Sequence, residues 1–292
     1  MIFQTYRDSD YDAVCGFLIE LNREQQAHIN WNWARFEWMA EHPYFDRGLR
    51  GSIGLWRDRD RVVGAAIYDM YFGEAFCGAL PAYASLYPEI LDYAYRVLKD
   101  SEGLAVSIGE ENAGEIEAAE RAGFVRTEQQ ETVMRCELDR PFPVSLPDGF
   151  TLKELDPYHG GAYELQWLFW QGFDHGDDRA AFEEDYERTM NSGLGIRPHF
   201  RPGLSVAAHA PDGEAAAYAC LWYDERTDYA YVEPVCTIPR HRGKGLGRAV
   251  VCEAMNRAAE LGAKKAYVIS DQPFYEKLGF VRDRRFVFYR KR

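Results

Sequence analysis

The chain has 292 residues, of which 47% are hydrophobic and 28% are charged. This composition is typical of a globular protein, and the length suits two domains of about 150 residues each. No apolar run approaches the roughly 20 residues that a membrane-spanning helix requires. Residues 1–10 also lack the basic and apolar regions of a signal peptide. We therefore expect a cytoplasmic protein with no membrane partner.

Charge is distributed unevenly along the chain, whose net charge is −13. Residues 1–140 carry 14 Lys or Arg against 25 Asp or Glu, whereas residues 141–292 carry 20 against 22. An acidic half repels a phosphate backbone, so nucleic acid is not an expected partner. The same charge would attract a cationic acceptor molecule, or it would simply keep the protein in solution.

The six cysteines and seven histidines show neither a disulfide framework nor a metal site. No C-x-x-C or H-E-x-x-H spacing occurs, and scattered cysteines in a chain of this length are typical of reduced core thiols. One cluster of possible metal ligands consists of Asp174, His175, Asp177 and Asp178. Gly176 lies within this cluster and Gly172 precedes it, which favours a solvated loop. We expect no metal.

Hydrophobic periodicity predicts alternating strands and helices in the first half. The expected strands are residues 2–6, 52–56, 62–71 and 104–108, and the expected helices are residues 11–22, 33–41 and 87–98. The second and third of these strands form a hairpin. An aromatic cluster either lines a pocket or packs in a core, and consists of Trp31, Trp33, Phe36 and Trp38.

Residues 139–149 hold three prolines and end in the turn dipeptide Asp148-Gly149, which indicates a boundary between two halves. The pattern after this boundary again predicts strands and helices. The expected strands are residues 151–155, 204–209, 215–223, 229–237 and 265–269, and the expected helices are residues 163–173, 180–190 and 247–261.

The two halves end in similar segments, EIEAAERAGFVR at residues 115–126 and DQPFYEKLGFVR at residues 271–282. Gly123 and Gly279 each close a short helix, where glycine suits a left-handed C-cap. The order β-α-α-β-β-β-α-β-α-β then occurs twice. This order predicts a duplicated α/β fold with mixed sheets rather than a short-period solenoid.

The segment TIPRHRGKGLGRAVV at residues 237–251 is the most informative for chemistry. A strand ends near Thr237, a basic glycine-rich loop follows, and an amphipathic helix begins near Gly247. Helix N-termini expose unpaired N–H groups and the positive end of the dipole, and glycines let the backbone approach an anion. The loop therefore suits a pyrophosphate group. Its spacing is neither that of a Walker loop nor that of a dinucleotide fingerprint.

The R-x-x-G-x-G pattern at residues 242–247, preceded by Thr237-x-Pro239, resembles the coenzyme A pyrophosphate loop of the GNAT superfamily of N-acyltransferases. The segment FYEKLGF at residues 274–280 resembles the second signature of that superfamily. The resemblance covers nearly all of residues 148–292 by motif, and the rest of the chain by layout only.

This resemblance implies two tandem GNAT-like domains, a degenerate one at residues 1–140 and an acyl-CoA-binding one at residues 150–292, with a linker at residues 141–149. It implies acetyl-CoA as cosubstrate. The expected reaction is transfer of the acetyl group to a small-molecule or peptide amine by direct attack in a ternary complex.

The resemblance also assigns roles around the loop. The backbone of Val235, Cys236 and Thr237 is expected to contact the pantetheine arm and the acyl carbonyl. An N–H group near Val235 would stabilise the developing oxyanion. The residues expected to hold the pyrophosphate are Arg242, Gly243, Lys244, Gly245, Leu246, Gly247 and Arg248.

Two residues are candidates for proton transfer. Tyr275 matches the tyrosine proposed to protonate the leaving thiolate, and a phenol of pKa about 10 is still protonated at neutral pH; the alternative is a packing role. Glu233 is a candidate general base for the amine, or a residue that only binds a cationic acceptor, or a surface charge. Strand alternation places Glu233 on one face with Tyr229 and Tyr231 unless a bulge intervenes.

The sequence departs from the family pattern at three places. Residues 270–273 replace the asparagine that usually opens the second signature, and Asp271 is expected to cap a shortened helix. In the first half, residues 80–88 (LPAYASLYP) contain no glycine, and Ala119-Glu-Arg121 stands where Phe-Tyr-Glu is expected. We therefore expect the first half to have lost coenzyme A binding and to pack or shape the substrate site.

Two other interpretations remain open at this stage. One is a binding module, an acyl-CoA sensor or scaffold without turnover, against which Tyr275 and Glu233 argue. The other is an acetyltransferase that resembles mycothiol synthase, which also has a tandem layout with one degenerate half. The sequence identifies neither the acceptor amine nor the oligomeric state.

Overall fold

The duplicated order of elements is present in the computed structural model, which describes residues 1–24, 30–40, 42, 45–190 and 199–292. Each half consists of a strand, two helices, three strands, a helix, a strand, a helix and a strand. The helix expected at residues 33–41 is described over Trp33–Ala40, and residue 41 lies outside the described residues. The fold class is the expected one, mixed sheets flanked by helices.

The first half contains six strands and four helices among its described residues. The strands are β1 (Ile2–Thr5), β2 (Gly54–Asp58), β3 (Arg61–Asp69), β4 (Tyr71–Ala79), β5 (Leu104–Gly109) and β6 (Val125–Glu137), and the helices are α1 (Tyr11–Glu24), α2 (Trp33–Ala40), α3 (Tyr87–Val97) and α4 (Ala113–Arg121). The repeated order of elements predicts a strand where β4 lies, but no residue range was predicted for it. The reason is that Gly73 and Gly78 interrupt the alternation of apolar and polar residues.

The second half repeats this inventory. Its strands are β7 (Thr151–Glu154), β8 (Ser205–His209), β9 (Ala215–Tyr223), β10 (Tyr229–Thr237), β11 (Lys265–Ile269) and β12 (Val281–Lys291), and its helices are α5 (Ala162–Gly172), α6 (Arg179–Met190), α7 (Leu246–Glu260) and α8 (Pro273–Glu276). Among the described residues, no helix is both long and apolar enough to cross a lipid bilayer.

Contacts group the chain into two units whose boundaries differ from those of the sequence halves. Unit 1 comprises Met1–Met134, Ile269–Asp271 and Arg282–Arg292, and unit 2 comprises Arg135–Val268 and Gln272–Val281. The segment 141–149 belongs to unit 2, where Phe142 exchanges two backbone-to-side-chain hydrogen bonds with Asn256 of α7, at 2.8 and 2.9 Å. The division into residues 1–140, 141–149 and 150–292 stays a prediction about the two repeats.

The sheet of each unit combines parallel and antiparallel pairs. In unit 1 the strand order is β1-β2-β3-β4-β5-β12-β6, so the last strand of the chain pairs with β5, with Val287 opposite Ile108. In unit 2 the order is β11-β10-β9-β8-β7. One pair in each unit is parallel, β4 with β5 and β10 with β11.

Aromatic side chains fill much of the core of unit 1. Trp31, Trp33 and Phe36 are at most 3% exposed, and the guanidinium of Arg35 lies 4.5 Å from the ring centroid of Trp31. Such burial supports the core-packing alternative for this aromatic cluster.

The predicted helix C-caps have the same geometry in both halves. Gly123 and Gly279 have φ of +86° and +100°, in the left-handed region where glycine is favoured. Phe124 N donates to Ala119 O at 3.0 Å, and Phe280 N donates to Tyr275 O at 3.1 Å. The equivalent of Tyr275 is therefore Ala119, and Ala118 is the equivalent of Phe274. The placement of Ala119–Arg121 against Phe-Tyr-Glu was wrong by one residue, and the aligned segments at residues 115–126 and 271–282 have the same register as these hydrogen bonds.

Candidate active site

The strand β10 separates from one of its two neighbours halfway along its length. It pairs in parallel with β11 only from Tyr229 to Tyr231, whereas its antiparallel pairing with β9 continues to Thr237. Of the described strands, none pairs with residues 235–237 on the edge away from β9. This open edge can pair with an extended ligand that carries amide groups, because backbone N–H and C=O groups require hydrogen-bond partners.

A β-bulge interrupts β10 where the open edge begins. The register with β9 shifts between Val232, opposite Leu221, and Val235, opposite Ala219, so Glu233 and Pro234 together occupy the place of one residue. Trp222 Nε1 donates to Glu233 O at 2.7 Å across this bulge. The simple alternation expected for Tyr229, Tyr231 and Glu233 therefore does not continue unbroken through the strand, and the bulge sets the direction of Glu233.

The glycine-rich loop places backbone amides at the N-terminus of α7. Gly243 and Gly245 have φ of +76° and +83°, and Gly245 is the N-cap of the helix. The first helical bond runs from Ala249 N to Gly245 O, at 3.0 Å, so the preceding amides of the first turn have no acceptor within the helix. A Cβ atom built at either glycine would meet no atom within 4 Å. The loop is thus an exposed cradle that fits a pyrophosphate group.

Gly247 has a different role in the same loop. A Cβ atom at this position would lie 3.2 Å from Thr237 Oγ1 and 3.6 Å from the ring of Phe274. Glycine therefore allows the first turn of α7 to approach both the end of β10 and helix α8. Leu246, beside it, is 1% exposed and anchors the helix in the core.

Three cations surround the cradle, and contacts with the protein position each of them. Arg242 donates to Thr237 O and to Gly172 O, both at 3.0 Å, and pairs with Asp174 at 2.9 Å. Lys244 Nζ lies 2.9 Å from His241 Nδ1. Partial burial and the neighbouring Lys244 and Arg240 lower the pKa of His241, so its ring is neutral and can accept this bond.

The third cation connects the two signature segments. Arg248, in the first turn of α7, donates from Nη1 to Lys277 O at 3.0 Å, and Lys277 directly follows helix α8. Its exposed side chain keeps positive charge beside the helix N-terminus, where an anion is stabilised. The loop residues expected to hold a pyrophosphate therefore surround one exposed surface.

The two proton-transfer candidates lie near each other in unit 2. Tyr275 is 8% exposed, and its ring packs against Phe274 and Phe280 with centroids at 5.0 and 5.5 Å. Burial raises the pKa of Tyr275, and the negative charge of Glu233 raises it further. The phenol is consequently protonated throughout the physiological pH range, so it can donate a hydrogen bond but cannot act as a base.

Helix α8 begins one residue later than expected. Its N-cap is Gln272, in an extended conformation and without a side-chain capping bond, and Pro273 occupies the first helical position. The prediction that Asp271 caps this helix was wrong. The reason is local, because proline starts a helix without needing an N–H acceptor and holds the preceding residue extended.

Helix α5 packs against the segment of β10 that has the open edge, a contact that the sequence analysis did not predict. A Cβ atom at Gly172, the last residue of α5, would lie 2.7 Å from Cys236 Sγ, so only glycine allows this approach. On its other side α5 forms an aromatic layer with α6, in which Tyr163 and Trp167 lie 5.3 and 5.0 Å from Phe182. Arg179 stacks 4.3 Å from the Trp167 ring. Aromatic residues at helical spacing in both segments were the available signal.

The acidic loop between α5 and α6 has structural partners, as its glycines suggested. Asp174 pairs with Arg242, and His175 lies 5.1 Å from Trp170 between ring centroids. Asp178 accepts hydrogen bonds from Ala180 N and Ala181 N at the start of α6. These contacts are typical of a solvated loop that leads into a helix.

Unit 1 has no counterpart of the glycine cradle in the segment expected to contain it. Residues 80–88 form a 3-10 turn at Pro81–Leu86 that leads directly into α3 at Tyr87. This segment contains no glycine, whereas the loop of the other half has two glycines of positive φ, Gly243 and Gly245. Among the described residues, the anion cradle lies in unit 2, together with an open strand edge and a buried tyrosine.

Comparison with known proteins gives a family match for part of the chain. Residues 162–280 match the acetyltransferase (GNAT) family model. The chain therefore contains a GNAT acetyltransferase domain, which includes the loop, Glu233 and Tyr275. No curated protein matches the chain.

Several solved structures resemble the chain over nearly its full length. A GCN5-related N-acetyltransferase from Sphaerobacter thermophilus is 15% identical with a TM-score of 0.61, and the match covers 99% of this chain and 95% of that one. A tandem GNAT protein from the clavulanic acid biosynthesis pathway is 17% identical with a TM-score of 0.62, covering 99% and 97%. A GNAT-family acetyltransferase from Colwellia psychrerythraea is 11% identical with a TM-score of 0.58, covering 100% of both. At these identities the likeness shows the fold, which is that of a tandem GNAT protein.

Proposed function

We propose that this protein is an acetyl-CoA-dependent N-acetyltransferase that acts on a small-molecule or peptide amine. The observation that supports the proposal best is the anion cradle of Gly243 and Gly245 at the N-terminus of α7, adjacent in sequence to the open edge of β10. Unit 2 also contains the protonated phenol of Tyr275, and the carboxylate of Glu233 contributes to its raised pKa. A scaffold that only binds acyl-CoA has no need for this last pair.

The proposed roles of the cradle residues follow from their contacts. Amides of Lys244, Leu246 and Gly247 would face the pyrophosphate of acetyl-CoA, with Lys244 and Arg248 adding positive charge. Arg242 is already bonded to Thr237 O, Gly172 O and Asp174, so we assign it to holding the loop against β10 and α5. Backbone groups of Val235, Cys236 and Thr237 would pair with the amides of the pantetheine arm.

The proposed reaction is direct attack of the amine on the thioester carbonyl. Glu233 takes a proton from the acceptor, which is mostly protonated in water at neutral pH because alkyl amines have a pKa near about 10. The new C–N bond forms as the carbonyl oxygen gains negative charge, which the N–H of Val235 stabilises. The C–S bond then breaks, and Tyr275 donates a hydrogen bond to the departing sulfur.

The raised pKa of Tyr275 makes it a weaker acid than the free coenzyme A thiol, whose pKa is about 8.5. Its contribution is therefore the hydrogen bond that stabilises the thiolate as charge develops. The nitrogen loses one proton to Glu233 before attack and a second proton after the C–N bond has formed; one of the two protonates the thiolate and the other passes to solvent. We also place the protein in the cytoplasm, because all six cysteines are buried and none of them forms a disulfide, as is typical of a reducing compartment.

A thiol-release assay tests this proposal. The full-length protein is incubated with acetyl-CoA and a panel of primary amines that includes amino acids, polyamines, aminoglycosides and short peptides, and free thiol is measured with a chromogenic disulfide. We expect thiol release that depends on one class of amine, with the acetylated amine detected by mass spectrometry. Acetyl-CoA binding without amine-dependent thiol release across the panel would instead support the sensor alternative.

A further inference from the structure

Unit 1 contains a cavity of about 520 Å³ that none of the proposed chemistry uses. It lies where the end of β4, the start of α3 and the start of α4 meet. Its wall includes Ala79, Tyr87, Asn112, Glu115 and Ala118. The cavity is large enough to hold a molecule of several tens of heavy atoms at most, which is the size range of small ligands.

The cavity occupies the place in unit 1 that the candidate active site occupies in unit 2. Leu80 N donates to Val63 O at 2.9 Å, and Ile238 N donates to Ala216 O at 3.0 Å, so the end of β4 at Ala79 corresponds to the end of β10 at Thr237. Strand β4 pairs with β5 only at two positions, Glu74 and Ala75, and its end is open in the same way.

Two substitutions explain the empty space. Ala118 and Ala119 stand where unit 2 has Phe274 and Tyr275, and Ala118 lines the cavity. Two methyl groups in place of two aromatic rings leave volume at this position. The start of α3, with Tyr87 and Pro88, replaces the glycine cradle, so the cavity offers no comparable site for a pyrophosphate.

The charged groups on the cavity wall differ in whether they have an oppositely charged partner. Arg284 pairs with Glu111 at 2.5 Å, and Arg121 pairs with Glu117 at 2.5 Å. Within the described part of the chain, the hydrogen bond given to Glu115 comes from Asn112 Nδ2 at 3.0 Å. Both arginines therefore have carboxylate partners of their own, and Glu115 does not have a cation of its own.

The titration of Glu115 is consistent with this difference. Burial raises the pKa of Glu115 to about 7, although the bond from Asn112 and the charge of Arg284 act in the opposite direction. Burial is the main cause of the raised pKa values of Cys77 and Tyr87, and the negative charge of Glu115 raises both pKa values further. The Tyr87 hydroxyl is buried and has no hydrogen-bond partner among the described residues. Such orphaned polar groups are rare without a ligand or water.

We propose that the unit 1 cavity binds a small amine, whose protonated nitrogen pairs with Glu115 and whose apolar body fills the space left by Ala118 and Ala119. This second site is independent of acetyl transfer, because its wall belongs to unit 1 and it lacks the cradle. The ligand would also offer the Tyr87 hydroxyl a polar group.

Calorimetry with three matched probes tests the proposal on the full-length protein. The probes are 2-phenylethylamine, 2-phenylethanol and phenylacetate, which share an apolar body and differ in charge. We expect the amine to bind at least about tenfold more tightly than the alcohol, because it compensates a partly buried carboxylate, and the carboxylate to bind least. Affinity for the amine should rise between about pH 6 and about pH 8 as Glu115 ionises.

Four variants locate the site. Glu115→Gln should reduce amine affinity to that of the alcohol and abolish the pH dependence, whereas Glu117→Gln, exposed on the same helix, should leave both unchanged. Ala118→Phe should prevent binding by filling the cavity, with thermal melting used to check that the variant folds. Glu233→Gln should leave this binding intact, which separates the cavity from the candidate acceptor site.

Several outcomes overturn the proposal. They are equal affinity for amine and alcohol, no detectable amine binding by the wild-type protein, or amine binding that Glu233→Gln removes and Glu115→Gln retains. The last result would place the amine in unit 2 and would support the proposed acetyltransferase site instead, so failure of one proposal does not imply failure of the other.

Discussion

Tyr275 is the residue whose proposed role depends most on its surroundings, because burial and Glu233 together keep it a phenol. We predict that Tyr275→Phe lowers single-turnover acetyl transfer by about 10²- to 10⁴-fold, the range typical of an acid or base group. Acetyl-CoA affinity should change little, since the ring still packs against Phe274 and Phe280. Tyr289→Phe, at a buried tyrosine of β12, is the matched control. An unchanged single-turnover rate would reduce Tyr275 to a packing residue.

Glu233 can act as a base or as a binding group, and the two roles give different kinetics. If it is the base, Glu233→Gln lowers kcat and makes turnover rise more steeply with pH, because solvent must then deprotonate the amine. If it only binds the acceptor, the loss lies mainly in KM and weakens with added salt. Kinetics of both proteins across pH and ionic strength separate these roles, with Glu225→Gln as an exposed control. No change in either parameter would make Glu233 an ordinary strand residue.

Glu115 should make stability depend on pH. Its pKa in the folded protein is about 7, above the ordinary value of 4.5, so between these values the folded state holds a proton that the unfolded state has released. Stability therefore falls as pH rises through this window. We predict that Glu115→Gln melts a few degrees above the wild type at about pH 8 and at the same temperature at about pH 4.5. Melting curves of the exposed Glu117→Gln variant control for surface charge; a constant difference at both pH values would contradict the prediction.

At the scale of elements, the proposed acetyl-CoA site depends on the loop before α7. One loop has glycines at positive φ and its counterpart at residues 80–88 has none. We predict that calorimetry gives one acetyl-CoA per chain and that Gly245→Glu removes this binding, because a carboxylate would enter the cradle and repel phosphate. Gly213→Glu is a matched control, since Gly213 also has positive φ and open space around it. Two equivalent sites, or binding retained in Gly245→Glu, would contradict this prediction.

At the scale of the whole molecule, the last strand belongs to the unit formed mainly by the first half. Strand β12 pairs with β5, with Val287 opposite Ile108, and Arg282–Arg292 belongs to unit 1. We predict that Val287→Pro, which removes an N–H and disturbs this pairing, accelerates hydrogen exchange in β5 and leaves β8 protected. Val281→Pro is the control, because proline is tolerated at the exposed first residue of a strand. Faster exchange confined to β8 would show instead that β12 supports unit 2.

The sequence by itself determined the repeated order of elements, the glycine loop and the paired C-caps. These features are local, because hydrophobic periodicity, glycine at positive φ and helix ends depend on neighbouring residues. Gly123 and Gly279 therefore took their predicted conformations. The start of α8 was misplaced because Asp271 is the residue type that favours a cap position, whereas Pro273 at the first helical position makes Gln272 the cap.

Only the tertiary structure decided where distant segments meet. The bulge at Glu233, the approach of Gly172 to Cys236 and the pairing of β12 with β5 all depend on packing between elements far apart in sequence. The cavity at Glu115 also depends on this packing, because the small side chain of Ala118 leaves volume there. The burial of Glu115 likewise follows from no local sequence pattern. Burial and electrostatic coupling act through space, so the pKa values of Tyr275 and Glu115 became readable only once the chain was folded.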